Sequence, residues 1–226
     1  MKVALFGSNG SIGKRYAAIL NHLDVPFKPV EIDSDFWRSS NPWENITHAI
    51  VATPTHSHLT IARAASNNVP TLCEKPLTDK KTELDDWKAL KSKHPIYMVN
   101  NYSFLDTNPG FPPRVDRIEY NFYNTGKDGT ALDCIQLLYM AQKIGAEIEI
   151  KKVSPVWDLW INDKLKVPYE WIEWSYVQML NAFVHNMTSR LWPISYAIEA
   201  TELAINVQEK MENPHAHINR NPGPIK

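Results

Sequence analysis

Cysteine is scarce in this sequence. The 226 residues include only Cys73 and Cys134, too few for a disulfide framework, and a reducing, cytoplasmic setting is expected. An excess of either charge is also missing, since 24 Lys and Arg face 25 Asp and Glu and leave a net charge of -1. No field of one sign is there to gather nucleic acid or an anionic membrane, so neither is expected as a partner. Long hydrophobic runs are lacking too. The opening "MKVALFGSNG" has a short apolar stretch that breaks at glycine with no cleavage pattern behind it, so it reads as neither a signal peptide nor a membrane span. There is no internal repeat. No metal set is visible: His56-Ser57-His58 has no acidic or thiol ligand at a suitable helical spacing, and no metal is expected.

What is present is an ordinary globular composition, 43% hydrophobic and 22% charged, long enough for one large domain or two small ones. Most of the eight tryptophans fall between Trp157 and Trp192, which predicts an aromatic core or contact surface in the second half. Through the first hundred residues, apolar runs of strand length alternate with helical patterns. Strands are expected at 2–7, 27–32, 47–53, 69–74 and 96–101, with helices at 12–23, 56–68 and 79–92 between them. Pro29 restricts the second strand to an edge or an end. Such alternation builds right-handed βαβ crossovers and a mostly parallel sheet covered on both faces.

From about Tyr102 the pattern changes. A Pro/Gly-rich connection at 105–114 leads to strands expected at 115–124, 147–153 and 156–161, with a helix at 129–144 among them. Asn162-Asp163 reads as a hairpin turn into 164–168. Helices are expected at 171–186 and, opened by Pro193, at 194–211. The fold class is therefore α/β: a Rossmann dinucleotide-binding domain over 1–102, then a small α+β domain over 103–212 with a reduced, mostly antiparallel sheet. Residues 213–226 read as a polar, mobile tail.

The chemistry starts at "GSNGSIG" (7–13), where a strand gives way to a helix. Gly7 permits the tight turn, Gly10 lets a pyrophosphate approach the backbone, and Gly13 lets helix and sheet pack closely. The helix N-terminus adds free N–H groups for the phosphates, so Gly7, Asn9, Gly10, Ser11, Ile12 and Gly13 are expected to bind the cofactor. Asp33, twenty residues beyond Gly13, is placed to accept hydrogen bonds from the adenosine ribose. That carboxylate favours NAD over NADP, while Arg38 and Lys14 keep NADP open. In a doubly wound sheet, ligands bind at the carboxyl ends of the strands. Thr53-Pro54 and Glu74-Lys75-Pro76 both fall there. Partial burial would lower the pKa of Lys75 and suit it to accept a proton. Glu74 would bind the nicotinamide ribose or hold the lysine. The competing reading of this pair is a solvated ion pair before a proline turn. Cys73 reads as core, and Tyr176 and His185 are weak candidates for the crevice.

The succession of a glycine loop, an acid after the second strand, "TPTHSH" (53–58) and "CEKPL" (73–77) resembles the Gfo/Idh/MocA oxidoreductases, named for glucose–fructose oxidoreductase and inositol 2-dehydrogenase. The resemblance covers roughly residues 1–102. It implies that Lys75 is the catalytic lysine and that Thr53, Pro54, His58 and Glu74 stand at cofactor-side positions. Beyond residue 102 the likeness thins. "NNYSF" keeps Asn101, a cofactor-side candidate, and Tyr102, a substrate candidate, but has Ser103 where the family carries arginine. For the family's D-x-G-x-H-x-x-D stretch, "GKDGTALDCIQLL" (126–138) gives two placements. One puts Asp133 on the final aspartate and Thr130 on the histidine; the other puts Asp133 on the histidine and Gln136 on the aspartate. Asp133 is thus a catalytic candidate, and Thr130 and Gln136 are substrate candidates. The usual histidine is absent in both. The family's substrate domain commonly pairs subunits through an open-faced sheet, so a homo-oligomer, a dimer, is expected.

The resemblance implies an NAD(P)-dependent oxidoreductase that moves hydride between nicotinamide and a secondary alcohol or ketone of a sugar, cyclitol or nucleotide sugar. Two alternatives stand beside it. One is a non-catalytic dinucleotide-binding module acting as a sensor or assembly component. The other is a biliverdin-reductase-like enzyme with a non-sugar substrate, for which a broad apolar, aromatic-lined crevice is expected.

Overall fold

The computed structural model describes residues 1–122, 130–152 and 158–212. Strand β1 (Val3–Phe6) is buried along its whole length, as a strand covered on both faces must be. It feeds helix α1 (Ser11–His22), which turns Gly13, Tyr16, Ile19 and Leu20 inward. Strands β2 (Phe27–Val30), β3 (His48–Val51), β4 (Thr71–Cys73) and β5 (Ile96–Met98) follow, with α2 (His58–Ser66) and α3 (Lys81–Lys88) in the last two crossovers. The five strands pair in parallel. β2 lies at the sheet edge, where Pro29 leaves no ladder bond unmade.

A 3-10 segment (Asn101–Thr107) leads out of β5 into a smaller sheet. Its strands are β6 (Arg117–Phe122), β7 (Glu147–Lys152), β8 (Asp158–Ile161) and β9 (Leu165–Lys166), in the order β7-β6-β8-β9. β6 and β7 are parallel, joined across α4 (Thr130–Asp133) and α5 (Ile135–Ile144), and the other pairings are antiparallel. Asn162 and Asp163 both sit at left-handed φ, 53° and 56°, as the two central residues of the tightest hairpin turns require. Gly145, at φ 70°, ends α5 in the same conformation.

The chain then returns to the first sheet. Helix α6 (Tyr169–Val184) buries Met179, Leu180, Phe183 and Val184 among Val3, Leu5, Ile50 and Leu72, on the face that α1 covers. Trp192-Pro193 (β10) adds a sixth, antiparallel strand against β5, and α7 (Ile194–Glu212) lays Ala197, Ala200 and Ala204 into the other core cluster, which includes Ala62 and Trp87. The fold class expected from the sequence holds, with two corrections. β10 was not foreseen, because two residues leave no periodicity to read. The helix expected over 129–144 breaks at Cys134, which caps α5 outside helical geometry. The expected 213–226 tail, and parts of the strands expected at 115–124, 147–153 and 156–161, lie outside the described residues.

Candidate functional site

Parallel strands put their carboxyl ends on one edge, and the glycine loop, Thr53, His58, Glu74 and Lys75 stand there. Gly7 follows β1 at φ 78°, and a Cβ on it would stand 2.6 Å from the Ala52 carbonyl oxygen beyond β3. The Gly10 N–H donates to the Gly7 carbonyl at 3.1 Å, closing the loop. A Cβ on Gly13 would meet that same carbonyl oxygen at 2.0 Å, so helix and loop touch through backbone alone. Gly10 differs. A Cβ there would be 3.4 Å from the nearest atom of the chain, so its bareness serves space above the loop and not internal packing. Helix α1 carries no side-chain cap and no acidic residue in its first turn. Its leading N–H groups therefore remain open to an anion. These residues fit a dinucleotide pyrophosphate.

At the end of β2, Glu31 and not Asp33 touches the loop. The Glu31 carboxylate accepts from the Ser8 hydroxyl at 2.7 Å and from the Asn9 N–H at 2.9 Å. Asp33 is exposed. Glu31 was missed because a residue-counting rule points to Asp33, whereas β2 stops at Val30 and leaves its next residue at the edge.

At the ends of β3 and β4, His58 is 1% exposed. Its Nε2 lies 2.8 Å from the Thr53 carbonyl and its Nδ1 lies 2.9 Å from the Pro76 carbonyl. It thus ties the two strand ends together from beneath. Burial outweighs these carbonyls and the nearby Glu74, and holds its pKa below the usual value. Thr53 accepts from the Ser57 hydroxyl at 2.8 Å, and Pro54 is exposed beside it. Glu74 is 7% exposed. One of its oxygens accepts from the Tyr16 hydroxyl and the other from the Lys75 N–H at 2.9 Å. The Lys75 amine extends to the second half of the chain and donates to the Asp133 carbonyl at 2.9 Å. It is a backbone oxygen that meets the lysine, while the residue's exposed remainder faces outward. Beside it, burial pushes the Cys134 thiol up to about 12, with the Lys75 charge pulling the other way. Cys73 is wholly buried, and burial likewise raises its thiol well above the usual value.

The remaining candidates lie off the edge itself. Asn101 is buried and donates to the Ser175 hydroxyl at 3.0 Å, anchoring α6 to the end of β5. Gln136 is buried and donates to the Val99 carbonyl at 2.7 Å, anchoring α5 likewise. The side chain of Thr130 lies outside the described residues. Tyr102 has its hydroxyl pushed well above the usual range by burial and by the adjacent Tyr120. It also lines a cleft of about 480 Å³ with Ser103, Asp106, Phe111, Arg114 and Met140. His185 sits at the far end of α6 against the Asn181 carbonyl. Tyr176 packs beside the buried Tyr16: its ring lies 6.2 Å from that of Tyr16, with the Arg15 guanidinium 5.0 Å above it.

No protein-family model matches this sequence, and no curated protein does. Solved structures do match. The WlbA (WbpB) dehydrogenase from Thermus thermophilus, in complex with NAD and α-ketoglutarate, superimposes with a TM-score of 0.66 at 13% identity, covering 99% of this chain and 97% of that one. The same dehydrogenase in complex with NAD and UDP-GlcNAcA gives 0.64 at 13% identity over 92% and 94%. A Gfo/Idh/MocA family oxidoreductase from Vibrio cholerae gives 0.68 at 11% identity over 96% and 100%. At such identities the likeness is one of architecture: across nearly its whole length, this chain has the fold of the Gfo/Idh/MocA oxidoreductases.

Proposed function

We propose that the chain is an NAD(P)-dependent oxidoreductase in which Lys75 transfers the proton. The observation that carries this reading is the shared edge. The Gly7–Gly13 loop and the Lys75 amine stand at the carboxyl ends of strands separated only by β3. The leading N–H groups of α1 and the bare Gly10 would hold the pyrophosphate, and Glu31 or Asp33 the adenosine ribose. NAD is favoured, since a carboxylate there repels a 2′-phosphate. When bound, the dinucleotide accepts hydride from, or returns it to, a substrate carbon. Lys75 acts at the oxygen on that carbon. As a neutral amine it takes the hydroxyl proton when the alcohol is oxidised, and as an ammonium it gives the proton back when the carbonyl is reduced. The Asp133 carbonyl uses one donor of the ammonium and aims the rest. The NAD and UDP-GlcNAcA complexes of the Thermus neighbour support a nucleotide-linked sugar as substrate.

The variant Lys75→Ala tests this reading. Dinucleotide affinity should stay within about twofold, because the phosphate site is untouched, while turnover falls by about 10²- to 10⁴-fold. Undiminished turnover would remove Lys75 from the chemistry.

A second reading rests on the cleft beside Tyr102. Its apolar wall of Tyr102, Phe111, Pro112, Val115, Met140 and Ile144 suits the flat part of a non-sugar substrate, as in a biliverdin-reductase-like enzyme, while Ser103, Asp106 and Arg114 on the same cleft would meet that substrate's polar groups. Phe111→Ala separates the two: it should raise KM for a flat apolar substrate and leave a sugar substrate unaffected.

A further inference from the structure

Tyr16 has an unusual place for a residue of a phosphate-binding helix. It lies one turn beyond Gly13, is wholly buried, and sits among Leu5, Ile19, Leu20 and Ile50. Its hydroxyl alone is polar there, and it donates across the sheet to Glu74, 58 residues away. Glu74 has no cation paired with it among the described residues. Its charge is met by the Tyr16 hydroxyl on one oxygen and the Lys75 N–H on the other. The Glu74 N–H is itself fixed to the Val51 carbonyl at 2.9 Å. A continuous line of bonded groups therefore runs from the glycine loop, through the first turns of α1, to the backbone of the lysine.

The line is braced from the second half of the chain. Arg15, next to Tyr16, pairs with Glu173 of α6 at 3.2 Å, and Tyr176 of α6 lies against Tyr16. Glu74 raises the hydroxyl of Tyr176, after burial, and does the same to Tyr16. Both phenols therefore stay protonated, and Tyr16 remains a donor. Any displacement of α1 moves the Tyr16 hydroxyl, and a buried carboxylate with two donors cannot be left with one at low cost.

We propose that Tyr16 is a positioning residue that couples occupancy of the glycine loop to the placement of Lys75, acting through Glu74. This deepens the oxidoreductase reading and rests on it. Phosphates docked on the N-terminus of α1 fix that helix, Tyr16 fixes the Glu74 carboxylate, and Glu74 fixes the lysine backbone. A docked nucleotide thereby holds the amine more firmly on the Asp133 carbonyl, aimed at the crevice. A continuous chain of packed and bonded groups is the kind of path along which such coupling travels.

The test uses ADP, which fills the phosphate end of the site but lacks the nicotinamide half that would cover Lys75 directly. Acetylation of Lys75 by an amine-reactive reagent is followed by mass spectrometry on the full chain, with and without ADP. Saturating ADP should slow Lys75 acetylation by about fivefold or more in the parent protein, and the effect should vanish in Tyr16→Phe while ADP affinity is kept. With substrate, Tyr16→Phe should lower kcat by about tenfold or more with little change in KM. An equal response to ADP in both proteins, or none in the parent, overturns the coupling and leaves the nucleotide site standing. If ADP does not bind the parent at all, the oxidoreductase reading fails first and the coupling with it. Glu74→Gln, which keeps the shape and removes the charge, is read in the same way, with thermal melting as the check that each variant is folded.

Discussion

At the scale of single residues, two glycines three positions apart make opposite predictions. A methyl group on Gly13 would meet the Gly7 carbonyl oxygen at 2.0 Å, backbone against backbone, and only displacement of α1 from the sheet could relieve it. Gly13→Ala should destabilise the fold by about 3 kcal/mol or more. A methyl group on Gly10 would rest 3.4 Å from its nearest neighbour, so Gly10→Ala should melt within a few degrees of the parent. It should nonetheless bind NAD about tenfold or more weakly, because the methyl projects where the pyrophosphate must approach. Equal losses of stability in the two variants would show that Gly10 is bare for packing reasons alone. The glycine loop was legible in the sequence because its requirement is local. The partners of the loop were not. Glu31, whose carboxylate bonds the loop, did not stand out beside Asp33, because a count of residues does not show where β2 ends. Tyr16 read as one more member of an apolar helical face, since nothing within a turn of it shows that its hydroxyl has a partner 58 residues on.

At the scale of elements, β3 is bounded by two buried histidines whose titration opposes folding. His48, in the first position of β3, is held below its usual pKa by burial, with the Asn186 side-chain oxygen Oδ1 3.3 Å from its Nε2 pulling the other way. His58, which ties the end of β3 to the turn after β4, is lowered by burial too. Both groups bind a proton less readily folded than unfolded. Their contribution to stability is therefore complete above the unfolded value near 6.5 and is lost as the pH falls toward the folded values. The urea midpoint should drop between pH 7.5 and pH 5.5, a window above the carboxylate range, and His58→Gln should flatten that slope. A midpoint that is level or rises on acidification would contradict this. Elements themselves were the most readable level. The alternation of apolar runs with helical patterns places every strand of the parallel sheet, and Asn162-Asp163 places the hairpin. Two features were hidden: β10, whose two residues are defined only by their partners Tyr97 and Met98, and the break at Cys134, whose freed neighbour carbonyl holds Lys75.

At the scale of the whole molecule, the unsettled surface is the open face of the smaller sheet. Its inward residues, Ile118, Tyr120, Leu159 and Ile161, are buried. The alternate positions form a charged lattice. Arg117 lies 2.6 Å from Glu149 and 3.0 Å from Asp163, Lys151 lies 3.4 Å from Glu119, and Lys166 lies 3.1 Å from Asp158. Lys166 also stands 5.7 Å over the Trp160 ring. Each such pair contributes at most about 1 kcal/mol in solvent, but stripping water from all of them against a second copy would cost several kcal/mol per ion. A dimer closed through this face, as the resemblance implies, would thus be polar and held by charge. Light scattering at 50 mM and 500 mM NaCl checks the point: any association through the face should be lost at the higher salt, where the screening length shrinks to about half its value under physiological conditions. A dimer that survives 500 mM NaCl but is broken by Trp160→Glu would prove that the lattice dehydrates on pairing, and would return the sheet to the pairing role that the resemblance implies.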